Sequence, residues 1–468
     1  MAIWAIRAMG PRMTSGPAPF KLCAPLLAAM VASAYGATAA ETIASSPAPI
    51  AGGEVNNPSL APPTETTQLA VSVGAGETDN VFLTGSPTQS QTLGLVGLDF
   101  DLQRQGSALN IDTKGDFQYL DFLEHAFGSH LYGRFDGQAS MDLVPGNCKW
   151  VVEDYFGQAQ LDPFEPLTPE NVENVNVFST GPDFRVRLGA TGFVELDLRY
   201  ALSHYQISPF SGKRELANLA VGEELSTASS VSLNVDGQRL RFDDTTVNTD
   251  YDRRETYVRY DFRGARTAVD LDLGVSQSNE AERWVSAPLV KLNARRLLSP
   301  SLTLTLAVGH ELTDASDGFR NLKSGATGGI VIAPVAGTMD TYLSNYGSAE
   351  LRFERNRTTI ALSARWERDT FAQSAPTDIT DGAVEAFFQR RMTPLLALQL
   401  HGAWGHIHYY NGGYYETDWP VGAALLLSPG RRVDFKLSAD HISHNVTASG
   451  LTYTENRVLV VAEYRPWQ

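Results

Sequence analysis

The stretch Ser301-Leu-Thr-Leu-Thr-Leu-Ala-Val-Gly309 places Leu or Val at every second position and Ser, Thr, Ala or Gly between them. Successive side chains of a β-strand point to opposite faces, so this stretch predicts a strand with one apolar face and one small, polar face. The same alternation, with charges on the polar face, occurs in 194–200, 269–275 and 433–440. Because no helical periodicity replaces it from residue 69 onwards, the sequence predicts an all-β chain.

Short turns and longer loops alternate between these predicted strands. Short turns fall near 144–148 and 428–431, and longer loops fall near 161–182, 278–284 and 313–338. Bacterial outer-membrane barrels have this plan, with an even number of strands, short periplasmic turns and longer outer loops. The sequence therefore predicts a single closed antiparallel transmembrane up-and-down β-barrel of about 20 strands, within a range of about 16–20. Closure is needed because hydrocarbon cannot satisfy the backbone N–H and C=O groups of an open sheet edge.

Residues 1–40 place basic residues first, an apolar run at 22–34 next and small residues last, before Glu41. This order is typical of a secretory signal peptide, so residues 1–40 are predicted to direct Sec export and then to be removed. Residues 41–67 are rich in Pro, Ala, Ser and Thr and are predicted to form a flexible linker. The predicted barrel occupies 68–468, and its predicted location is the outer membrane.

The chain is acidic, with 37 Lys and Arg residues against 53 Asp and Glu residues and a formal net charge of −16. Repulsion between this charge and phosphate excludes nucleic acid as a general partner. Of the two cysteines, Cys23 lies in the predicted signal peptide, so Cys148 is alone in the predicted exported part. One cysteine can form neither an intramolecular disulfide nor a cysteine-based zinc site, and the sequence predicts no cofactor.

Charged residues on the strand faces predicted to point inward are the main candidates for function. In a dry core each would be costly unless it were paired, whereas the aqueous lumen of a barrel accepts it. They favour a wet interior, either as a charge-lined pore that selects solutes or as cross-strand ion pairs that hold the register. The lumen-lining candidates are Arg185, Arg187, Glu195, Asp197, Arg199, Arg259, Asp261, Asp270, Asp272, Lys291 and Arg295.

The longest predicted outer loop spans 313–340 and contains the apolar run Ile330-Val-Ile-Ala-Pro-Val335 between glycine-rich segments. An apolar run exposed to water is unfavourable, so the loop is predicted to fold back against the inner wall and to restrict passage. A disordered loop tip is the alternative, because Ser, Asp and Gly precede the run. The constriction-loop candidates are Ile330, Val331, Ile332 and Val335.

Two histidine clusters provide the alternatives that involve chemistry. His406 and His408 share a strand face, which suits either a metal pair or an interfacial belt with neighbouring tyrosines. His441 and Ser443 also share a face, as a hydrolytic serine and its base would, but no third orienting group accompanies them. The sequence therefore predicts neither a catalytic residue nor a metal ligand.

Four strings of residues resemble one family. They are LVP at 143–145, EDYFGQAQLDP at 153–163, PENVENVNVFSTGP at 169–182 and FDDTTVNTDYDR at 242–253. The chain resembles, over 66–468, uncharacterised Gram-negative outer-membrane β-barrel proteins of the porin type that are associated with exopolysaccharide and exosortase systems. The resemblance implies a barrel in the outer membrane and a role in secreting or retaining a surface polysaccharide, and it implies no particular functional residue.

These observations predict an outer-membrane channel, or a passive component of surface-polysaccharide export, in which a solute or polymer diffuses without a covalent step. The chain is not expected to be an enzyme. Its expected partners are outer-membrane lipid, a polysaccharide or small polar solute, and envelope export machinery. Two other classes stay open: an outer-membrane enzyme acting on lipid or glycan, and a structural or adhesive barrel with a plugged lumen. In the adhesive barrel, exposed tyrosines such as Tyr414 and Tyr415 would bind glycans.

Overall fold

One antiparallel sheet contains all the strands of the computed structural model. The structure describes residues 66–162, 164–280, 283–314, 332–333, 341–371, 378–410, 413–447 and 451–466. The strands are β1 (Thr66–Thr78), β2 (Gln91–Gln105), β3 (Leu109–Phe122), β4 (His130–Val144), β5 (Cys148–Gln160), β6 (Val172–Leu188), β7 (Gly192–Tyr205), β8 (Gly212–Ser226), β9 (Ser229–Phe242), β10 (Tyr251–Arg263), β11 (Thr267–Glu280), β12 (Arg283–Ser299), β13 (Leu302–Thr313), β14 (Ile332–Ala333), β15 (Tyr342–Arg355), β16 (Thr358–Phe371), β17 (Ile379–Arg391), β18 (Leu396–Tyr409), β19 (Tyr414–Leu427), β20 (Val433–Val446) and β21 (Tyr453–Tyr464).

The sheet closes on itself. Within the described ranges, β1–β13 and β15–β21 are twenty strands that each pair antiparallel with their neighbours in the chain. The first and last strands pair as well, from Val71 opposite Tyr464 to Thr78 opposite Arg457. Closure satisfies the backbone of both terminal strands within the sheet, which a strand-built membrane protein requires. The predicted fold, a closed antiparallel up-and-down barrel of about 20 strands, is confirmed.

Connections on the two sides of the barrel differ in length. The turn side has tight connections, such as 145–147 and 189–191, in which Gly146 and Gly189 take positive φ angles of 76° and 73°. The other side, called the outer side here, has most of the long connections, including the one that leads from β13 to β15. Long outer loops and short periplasmic turns are the usual arrangement in outer-membrane barrels.

One predicted loop is wrong. The sequence predicted a longer outer connection near 278–284, but β11 continues to Glu280 and β12 begins at Arg283. Pairing continues because Ser276 and Ser278 keep the alternation of the strand and are buried on one face, although they lie near its outer end. Residues 66 and 67, the last two of the predicted linker, belong to the first strand, since β1 starts at Thr66.

The long strands of the barrel have one apolar and exposed face. Together these faces form an apolar belt around the sheet. The belt includes the exposed residues Leu219, Leu273, Leu362 and Val460. The alternate positions of the same strands hold the charged and small residues, so the two faces of the sheet differ sharply in polarity. Among the described residues, no helix is long and apolar enough to cross a membrane.

Candidate functional site

The charged residues predicted to line a lumen all lie on the strand face opposite the apolar belt. Asp272 illustrates the placement, because it is buried whereas Leu273, the next residue of β11, is exposed on the other face. The alternation seen in the sequence therefore corresponds to the two faces of the sheet. The face of the sheet opposite the apolar belt is called the polar face below.

Near the turn side, β6, β7 and β8 present a group of ion pairs on the polar face. Arg185 lies 2.9 Å from Glu195 and 3.3 Å from Glu224, and Arg187 lies 3.2 Å from the same Glu224. These side chains are well exposed, so each pair contributes only about 0–1 kcal/mol to stability. Glu224 was not among the predicted residues, although it occupies the same face as Arg185.

A little further along the same strands, two aspartates face each other. Asp183 of β6 is directly opposite Asp197 of β7. Like charges in opposite positions are unfavourable, and Arg199 offsets this by forming an ion pair with Asp183. Asp197 also interacts electrostatically with Arg199.

The wall from β10 to β13 holds paired charges at several levels. Arg259 donates two hydrogen bonds of 2.7 Å to the two carboxylate oxygens of Asp272. Such a bidentate pair is stronger and better oriented than a single contact. Lys291 lies 2.5 Å from Glu311 of the next strand.

Three more predicted residues lie near the turn side of this wall. Asp261 and Asp270 share Arg263, at 3.8 Å and 2.5 Å. Arg295 is opposite Ala268 on one side and Thr305 on the other. The arrangement fits both interpretations of these residues given in the sequence analysis, a charge-lined pore and a set of cross-strand ion pairs.

At the outer side the polar face contains a buried ionic cluster that the sequence did not reveal. Asp314, the residue after β13, accepts hydrogen bonds from Arg214 Nη2 at 2.7 Å and from the Tyr251 hydroxyl at 2.6 Å. Arg253 lies 3.5 Å from Oδ2, the same carboxylate oxygen that accepts from Tyr251. The cluster fixes the start of the connection after β13 to strands β8 and β10 on the barrel wall.

The β13–β15 connection meets the wall again at β14. Ile332 pairs in parallel with Gln158 of β5, and Ala333 pairs with Ala159. The edge of β5 is open to β14 at this point, because the pairing of β4 with β5 ends at Phe135 opposite Phe156. Of the constriction-loop candidates, Ile332 has this backbone pairing, whereas Ile330, Val331 and Val335 lie outside the described residues. A constriction by this loop stays a prediction.

Carboxylates are concentrated on the polar face of β16, β17 and β19, towards the outer side. Glu367 is directly opposite Asp381, and both are buried. Arg365 forms an ion pair with Asp381, and the hydroxyl of Ser344 donates to Glu367 at 2.8 Å. Sequence reasoning missed this group, although Arg365 and Glu367 follow the same alternation as the residues it identified.

The inward side is apolar near the outer end, which the sequence did not predict either. Leu93, Leu95 and Phe122 form a buried cluster, against which the connection residues Val81 and Phe127 pack. The Phe122 and Phe127 rings meet edge to face at 5.4 Å. A second buried cluster contains Val175, Val177, Tyr205, Leu240 and Tyr251. The polar face therefore becomes a packed interior towards the outer loops.

The two histidine clusters do not assemble into reaction centres. His406 lies 3.0 Å from the Thr417 hydroxyl, and His408 stacks on Tyr415 with ring centroids 4.2 Å apart. His441 contacts Asn456 at 2.8 Å, while Ser443 accepts a hydrogen bond from Asn445 at 3.2 Å. The described part of the chain contains no group of three His, Cys, Asp or Glu residues that could hold a metal ion.

The two tyrosines proposed for glycan binding point to different faces. Tyr414 packs against Tyr409 and Phe164, with centroids 5.4 Å away in each case. Tyr415 is exposed on the side of the apolar belt. The pair therefore does not form one binding surface.

An apolar belt around a closed sheet is stable in a bilayer and unfavourable in water. Within a bilayer, neighbouring strands of the barrel hydrogen-bond each other's backbone N–H and C=O groups, so these groups need no water. Outer-membrane barrels have an even number of strands, a closed sheet and connections of unequal length on the two sides, and this chain has all three features. The chain is an outer-membrane β-barrel protein.

Comparisons with known proteins find only distant structural likeness. No family model matches the sequence, and no curated protein matches it. Similar solved structures include the siderophore receptor PirA of Pseudomonas aeruginosa, with 11% identity, 86% of this chain and 81% of that chain covered, and a TM-score of 0.41. A mutant of the ferric enterobactin receptor PfeA from Pseudomonas aeruginosa has 8% identity, coverages of 89% and 81%, and a TM-score of 0.42. The FrpB iron transporter from Neisseria meningitidis has 7% identity, coverages of 85% and 82%, and a TM-score of 0.42. Similarity at this level extends neither ligand nor mechanism to this chain.

Proposed function

We propose that this barrel is a passive channel for small polar solutes, with a water-filled chamber on the turn side and a narrow passage on the outer side. The observation behind the proposal is a change in exposure along the polar face. Near the turns, the side chains of Arg187 and Lys114 are 65% and 54% exposed. Towards the outer end, those of Glu311 and Asp381 are 3% and 0% exposed.

The turn-side charges support the chamber. Arg185, Arg187 and Glu224 keep much of their side-chain surface exposed although they lie on the face opposite the lipid belt. Ions and polar solutes can exchange their hydration shells for such side chains at little cost, whereas a dry wall would exclude them. The proposed lumen-lining residues are those predicted from the sequence, and the more exposed ones lie near the short turns.

Contacts at the outer side support the narrow passage. Val81 and Phe127 enter the mouth from two connections, and Asp314 fixes a third to the wall. The pairing of β14 with β5 adds a fourth contact. A constriction that includes Ile330, Val331, Ile332 and Val335 is part of the proposal. Selection would then depend on solute size and charge, and diffusion needs no covalent step.

A role in surface-polysaccharide export, with envelope export machinery as partner, is a narrower form of this proposal. It rests on the sequence resemblance alone. A linear polymer would need a continuous path through the buried outer half, so this form also requires the outer contacts to open.

A structural barrel with a plugged lumen is the second candidate. The apolar clusters inside the outer half favour it, because Leu93, Phe122 and Phe127 pack like a protein core. This candidate and the channel differ in one property, which is the passage of solute through the folded protein.

We expect liposomes that contain the refolded protein to swell in isotonic solutions of small sugars. The swelling rate should fall steeply as the sugar becomes larger, because the outer half is narrow. Liposomes without protein and liposomes with heat-unfolded protein serve as controls. Swelling no faster than in the controls, with the protein shown to be folded, would favour the plugged barrel.

A further inference from the structure

A stack of basic and aromatic side chains lies on the exposed face of β16–β19, near the outer side. The Arg368 guanidinium carbon is 5.2 Å from the centre of the Tyr410 ring. The His408 ring is 4.2 Å from the Tyr410 ring and 4.2 Å from the Tyr415 ring. His406 extends the stack, with its ring centre 5.7 Å from that of Tyr415.

Strand register brings these side chains together. Arg368 is opposite Thr380, Thr380 is opposite His408, and His408 is opposite Tyr415. The Thr380 hydroxyl donates to the Tyr410 hydroxyl at 3.3 Å, which steadies the ring beneath Arg368. The stack is therefore a built surface that four adjacent strands supply.

The stack lies at the edge of the apolar belt. Towards the turn side on the same strands, Leu362, Val384, Leu400 and Trp419 are exposed. Tyr and Trp are favoured where an apolar region meets lipid headgroups, since their rings have both apolar and polar parts, and a His ring is divided in the same way. This position places Arg368 and His408 at the headgroups of the outer leaflet.

The charge of this surface is unbalanced. Among the described residues, Arg368 makes a ring contact with Tyr410 and no ion pair. By contrast Arg239, also on the exposed face near the outer side, lies 3.3 Å from Asp252. The carboxylates of the strands that form the stack, such as Glu367 and Asp381, are buried on the opposite face. In the part of the chain that the structure describes, this acidic protein thus presents at its outer side a cation that forms no ion pair.

We propose that the stack of Arg368, His406, His408, Tyr410 and Tyr415 binds a phosphate group of a phosphorylated glycolipid in the outer leaflet. The planar guanidinium suits the paired oxygens of a phosphate, and the His N–H and Tyr O–H groups are additional donors. Exposed rings below it offer an apolar surface to the acyl chains. The site faces lipid and not the lumen, so it is independent of the proposed channel.

Binding can be measured by native mass spectrometry on the full mature barrel in detergent. The probes are diphosphorylated lipid A and the same lipid after removal of its phosphates. We expect wild-type protein to bind the phosphorylated lipid about tenfold more tightly, which corresponds to one charge-assisted contact. Arg368→Gln should lose most of this preference, and Arg368→Lys should keep part of it. Arg239→Gln is the matched control, since Asp250 and Asp252 balance the charges of Arg239 and its neighbour Arg241, and it should keep the preference.

Folding of each variant is checked by the shift in electrophoretic mobility on heating. Equal binding of the two lipids by wild-type protein would overturn the proposal. An unchanged preference in folded Arg368→Gln would overturn it as well, and so would an equal loss in Arg239→Gln.

Discussion

Replacing Asp314 with Ala is expected to lower the free energy of unfolding by about 3–5 kcal/mol, the usual cost of removing one partner from a buried ion pair. Asp314 is fully buried, and it accepts hydrogen bonds from Arg214 and Tyr251. Without its carboxylate, the charges of Arg214 and Arg253 lose the anion between them while both side chains stay buried. The large effect follows from that burial.

The measurement is denaturant unfolding of the barrel in detergent micelles or liposomes. Glu354→Ala provides a matched control, because Arg352 and Glu354 also form a 2.7 Å ion pair but their side chains are 41% and 59% exposed. That control should cost no more than about 1 kcal/mol. Asp314→Asn, which retains an acceptor for Tyr251, should fall between the two. Equal costs for Asp314→Ala and Glu354→Ala would contradict the buried cluster.

The Asp314→Ala variant is also expected to change transport. Asp314 fixes the start of the β13–β15 connection to β8 and β10, on the outer side where we propose the narrow passage. Loss of that contact should therefore raise the conductance of the barrel, whereas Glu354→Ala should leave it unchanged. If the conductance of folded Asp314→Ala stays at the wild-type value, the contacts of Asp314 do not restrict the passage.

Leu362→Lys and Ser363→Lys are expected to have very different effects although the residues are adjacent. Leu362 is exposed on the apolar belt, where a lysine near the middle of the bilayer costs about 2–4 kcal/mol. Ser363 faces the other way, between Glu350 and Glu385 on the neighbouring strands. A lysine at 363 gains two anionic neighbours and should change stability by less than about 1 kcal/mol.

Unfolding in liposomes measures this difference directly, because micelles adapt to a charged surface more easily than a bilayer does. A one-residue shift of register exchanges the two faces of a strand, so the pair also tests the register of β16. Equal costs, or a larger cost for Ser363→Lys, would show that the face assignment is wrong.

Much of the barrel could be predicted from the sequence because two simple rules apply to every strand. Alternation fixes which residues share a face, and it assigned Arg185, Arg259 and Asp272 to the face on which the structure has them. The alternation of turn and loop lengths predicted the up-and-down order and a number of about 20 strands. These rules are local, so they need no knowledge of distant contacts.

The outer half could not be predicted in the same way, since its contacts join residues that are far apart in sequence. Arg214 and Asp314 are 100 residues apart, and nothing local marks Asp314 as a buried partner. The apolar residues Leu93 and Phe122 break the expected polar face, because loop residues such as Phe127 cover them. Strand pairing at β14 likewise depends on an edge that β4 leaves open.

Single-channel recording in planar lipid bilayers tests the central claim most directly. The full mature protein, refolded and added at low concentration, is expected to give discrete and reproducible conductance steps in a simple salt solution. Asp314→Ala should give larger steps in the same membrane. A folded wild-type barrel that inserts into the bilayer and gives no steps would contradict the channel and leave the plugged barrel as the better description.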